Sequence, residues 1–77
     1  MKAMTQLFTS SEYSALRDPK TEDVIIEFVH SRYMDVVRFA LRPDEKGRYE
    51  DVSFISNLIE ACYRNPSKFG QKRRVLR

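Results

Sequence analysis

Seventy-seven residues with a single cysteine and a single histidine exclude an intrachain disulfide framework and a four-ligand Cys/His zinc site. A domain this small buries about 60–65% of its unfolded surface, so packing or association has to supply what cross-links do not. The net charge of +3 comes from 14 basic and 11 acidic residues. Five of the basic ones fall at 68–77, which holds no acid, so residues 1–67 are mildly acidic.

The stretch MKAMTQLFTSSEY has no apolar run long enough for a signal peptide. No segment approaches the ~20 apolar residues of a membrane span, and a cytoplasmic protein is expected. Thr9 and Glu12 have the spacing of a capping box, which predicts a short helix over Ser10–Arg17. Asp18-Pro19 then reads as N-cap and first residue of the next helix.

From Pro19 to Arg42 the pattern predicts one long helix. Glu27, Ser31, Asp35, Arg38 and Arg42 form a narrow polar strip at about 100° per residue. The opposite arc, rich in Val, Ile and Phe, spans roughly 200°, wider than the ~100° a surface helix needs. Such a helix would run about 35 Å, long for a chain of this size. Self-association or an obligate protein partner is therefore expected, with Phe28, Arg32, Val36 and Phe39 as its interface. Arg32, inside the apolar arc, either snorkels or meets a carboxylate across that interface.

Pro43 and Gly47 mark the loop RPDEKGRYED. A final amphipathic helix runs from about Asp51 to Arg64, ended by Asn65-Pro66. The sequence thus predicts an all-α domain over 1–67 and a basic, flexible tail over 68–77. The rival is an α+β domain in which VVRFAL and RYEDVSF pair as a hairpin at about 36–54, since β-branched residues favour strands.

Constellations that carry chemistry are sparse. Glu27 and His30 make a single Glu-x-x-His, whereas a carboxylate-bridged metal site needs two plus further carboxylates; no metal or cofactor is expected. Cys62 reads as a core residue, not a nucleophile. The acidic doublets are adjacent in sequence and diverge on a helix, and the chain has only two glycines, so no phosphate-cradling loop is present. An enzyme is not expected. The basic tail is the remaining signal. Lys68, Lys72, Arg73, Arg74 and Arg77 suit phosphate neutralisation, with Phe69 or Tyr63 available to stack on a base. The expectation is a small dimeric regulatory module that contacts DNA or RNA non-specifically through this tail. The alternative is a protein-binding adaptor or inhibitor using the apolar face of the central helix.

Overall fold

The computed structural model describes residues 4–30, 35–72 and 75–76, and it overturns the all-α reading. The chain is α+β. Strands β1 (Thr5–Thr9), β2 (Ser14–Arg17), β3 (Val24–His30) and β4 (Asp35–Ala40) form an antiparallel meander. A two-residue β5 (Val75–Leu76) extends it, in the order β1-β2-β3-β4-β5. Between β4 and β5 come a 3₁₀ turn (Pro43–Arg48) and two helices, α1 (Val52–Arg64) and α2 (Pro66–Lys72).

Each misread element has a local cause. The capping signals near Thr9 serve a hairpin. Ser10 Oγ accepts from the amides of Glu12 and Tyr13 at 3.2 and 3.3 Å, and Ser10 N donates to Tyr13 O. A serine hydroxyl closes a turn by the same bonds with which it caps a helix. Asp18-Pro19 opens a turn, not a helix. The Asp18 carboxylate accepts from Lys20 N at 2.9 Å, and its carbonyl accepts from Glu22 N at 2.7 Å. Glu22 completes that turn at φ 61°, a left-handed conformation uncommon outside glycine.

The long central helix is replaced by the β3–β4 hairpin, in which His30 pairs with Asp35 and Ile25 with Ala40. VVRFAL is indeed a strand in part, but its partner is VIIEFVH. The hairpin at 36–54 does not exist, because Pro43–Arg48 is helical and Val52 already belongs to α1. Two members of the supposed helical polar strip, Glu27 and Arg38, are cross-strand neighbours. Their Oε2 and Nε lie 2.6 Å apart.

Strand alternation sorts the sheet into two faces. Ala15, Val24, Ile26, Phe28, Val37 and Phe39 face the helices, where Ile55, Ile59 and Cys62 of α1 and Phe69 of α2 complete the core. On the opposite face the row Leu16–Ile25–Ala40 is followed by Ser14–Glu27–Arg38 and then by Val29–Val36. Ile25 and Ala40 are buried there, while Val29 and Val36 are exposed.

The final helix lies where the sequence places it. Asp51 caps it, its Oδ1 accepting from Phe54 N at 3.1 Å, and the Arg48 guanidinium lies 3.2 Å from its other oxygen.

Candidate nucleic-acid interface

Asn65-Pro66 ends one helix and starts another. Asn65 N donates to Ala61 O as α1 closes. Its side-chain oxygen then accepts from Lys68 N at 3.2 Å, capping α2. Proline at the first position of α2 has no amide to leave unsatisfied. The pair is both a stop and a start, and only the stop is evident from the sequence.

Phe69 anchors α2. It is 7% exposed and meets Phe39 edge-to-face, ring centroids 5.0 Å apart. Three residues after α2 ends, Val75 pairs with Phe39 and Leu76 with Arg38. The C-terminal segment is thus attached to the domain at two points, one through a side chain and one through backbone pairing.

In sequence, Lys72, Arg73 and Arg74 fall between those anchors, Lys68 just before the first and Arg77 just after the second. Lys68 is exposed on α2, one turn from Arg64 at the end of α1. Together with Ala61, Asn65 and Phe69 they line an apolar recess of about 370 Å³. Lys72 is the last residue of α2. Arg73, Arg74 and Arg77 lie outside the described residues, as does Arg32.

Five of the seven described cations that precede this segment are paired, Arg17 and Lys20 being the other two. Arg38 pairs with Glu27, Arg42 with Asp44 and Glu45, Lys46 with Asp23, Arg48 with Asp51, and Arg64 with Glu60. Lys68 has no such carboxylate among the described residues, and residues 65–77 contain no acid that could supply one.

Of the four interface residues expected on a helix, the three described ones do not share one exposed face. Phe28 and Phe39 are 3% and 0% exposed, inside the chain's own core. Val36 is 46% exposed and sits directly across from Val29, which is 52% exposed. This cross-strand apolar pair, invisible to a helical reading, is what the surface offers in place of the arc. Tyr63 Oη donates to the Val29 carbonyl at 3.3 Å, and its ring packs edge-to-face on Phe28, so its stacking face is partly engaged.

Among the described residues, no three His, Cys, Asp or Glu side chains converge as metal ligands. Glu27 is occupied by Arg38, and Cys62 is buried. No helix among them is long and apolar enough to cross a membrane. No family model, no curated protein and no solved structure matches the chain.

Proposed function

We propose that this chain is a small non-enzymatic binding module of the cytoplasm. It contacts nucleic acid without sequence preference through its basic C-terminal segment, and it works as a self-associated pair. The observation that carries the reading is the distribution of partnered charge. Most described cations of the body are held by carboxylates, whereas the segment from Lys68 onward has five cations and no acid. A run of cations with no acid beside it in sequence is suited to release counterions when it meets phosphates.

The test is fluorescence anisotropy with a duplex and a single strand across a salt series. The variant replaces Lys68, Lys72, Arg73, Arg74 and Arg77 together with glutamine. Substitution is preferable to truncation, because removing the segment would also remove Phe69 and β5 and uncover Phe39. The expected result is binding by the wild type with a log–log salt slope of about −4 to −5 on duplex, if all five meet phosphates. The variant, still folded by circular dichroism, loses it. Unchanged binding by the variant, or none by the wild type at low salt, overturns the reading.

A further inference from the structure

The two edges of the sheet differ in a way that selects a partner. β5, at one edge, is flanked in sequence by Arg73, Arg74 and Arg77, so a second such edge brought alongside would oppose like charges. β1, at the other edge, reads TQLFT. It lies within residues 3–11, the longest uncharged run in the chain. No strand among the described residues pairs with its outer side.

Free edges invite further pairing, and soluble proteins usually blunt them with lysine, proline or a bulge. β1 has neither charge nor proline. Its bulge, between Gln6 and Phe8, twists the strand but adds no repulsion. Leu7 and Phe8 are only partly buried against the core.

We propose that β1 of one copy pairs antiparallel with β1 of a second copy about a two-fold axis, joining the two sheets into one. A two-fold sets each strand against its own reverse. An uncharged strand meets that requirement without opposing like charges, which favours a second copy over an acidic or basic partner. The pairing supplies the surface for the self-association proposed for this chain, and so rests on that reading.

The experiment is mass measurement by light scattering and sedimentation over a dilution series, with no nucleic acid present. Gln6→Lys and Gln6→Glu alter an exposed side chain of β1, and Thr5→Lys with Thr5→Glu is a second pair. The expected result is a wild-type dimer, a monomer for each single-charge variant, and recovery of the dimer when lysine and glutamate variants are mixed in equal amounts. Circular dichroism confirms that each variant is folded. A wild type that stays monomeric at its highest soluble concentration overturns the proposal. So does a dimer that persists in both folded lysine variants, since association would then use another surface. Anisotropy of the same monomeric variants on a short oligonucleotide reports on the C-terminal segment independently.

Discussion

Tyr13 joins the two layers of the molecule through one hydroxyl. It is 3% exposed, in the core, and its Oη donates to the Tyr49 carbonyl at 2.7 Å, linking the turn before β2 to the segment before α1. Burial, reinforced by the nearby carboxylates of Asp51, Glu12 and Glu50, pushes its ionisation above the ordinary value for tyrosine. A group whose folded pKa is raised contributes stability that is complete below its unfolded value. That stability is lost as pH rises toward the folded one. The melting temperature of the wild type is therefore expected to fall in the alkaline range above the ordinary tyrosine pKa of ~10. Tyr13→Phe removes the bond and leaves the Tyr49 carbonyl without it, at a cost of about 1 kcal/mol near neutral pH. It also flattens the alkaline decline. A Tyr13→Phe protein with the wild type's full alkaline slope would show that another group titrates there.

At the scale of elements, α1 shows what local signals can decide. Asp51 is its N-cap, and the Phe54 amide and the Arg48 guanidinium hold its carboxyl below the usual carboxylate range. A depressed pKa contributes stability above the unfolded value and loses it as pH falls through the folded one. The wild type is thus expected to lose stability in acid. Asp51→Asn, which keeps a capping oxygen but no titrating group, makes the melting temperature flatter between neutral and acidic pH. Equal slopes for the two proteins would sink this account. This helix was legible because cap, amphipathic face and stop coincide within a few residues. The β3–β4 hairpin was not. Ile25 is buried on one face while Val24, Ile26 and Phe28 are buried on the other, so the strand shows no alternation, and a continuous apolar run fits helix and strand alike. The sequence signal that separates them is β-branching at Val24, Ile25, Ile26, Val29, Val36 and Val37. The helical spacing of Glu27 and Arg38, whose true relation is across the sheet, masks it. The candidate site was legible as composition, in its run of cations, but not as structure. Phe69 binds Phe39 across thirty positions of sequence, and no local pattern reports such a contact.

For the whole molecule, the hairpin removes the reason for a long helix seeking a partner. The radius of gyration is 11.7 Å, close to the ~11.5 Å expected of one compact chain of this length. The self-association proposed here rests on an edge, and that changes its geometry. Pairing through β1 leaves the two β5 strands, each part of a basic segment, at the two outer edges of the joined sheet. Neighbouring strands lie about 4.8 Å apart, so those edges are separated by up to about 43 Å. Duplex DNA rises about 3.4 Å per base pair along each strand, so at that greatest separation both segments reach one duplex once it is roughly 13 base pairs long. A shorter duplex engages one segment; a longer one engages both and gains from the high effective concentration of the second. Apparent affinity per site is therefore expected to rise steeply near that length, at fixed salt, for the wild type. The monomeric Gln6→Glu variant should show only the shallow rise that comes from more sites per molecule. A steep rise retained by that monomer would mean that length is sensed within one chain, and the two-segment arrangement would be wrong even if the segment itself binds.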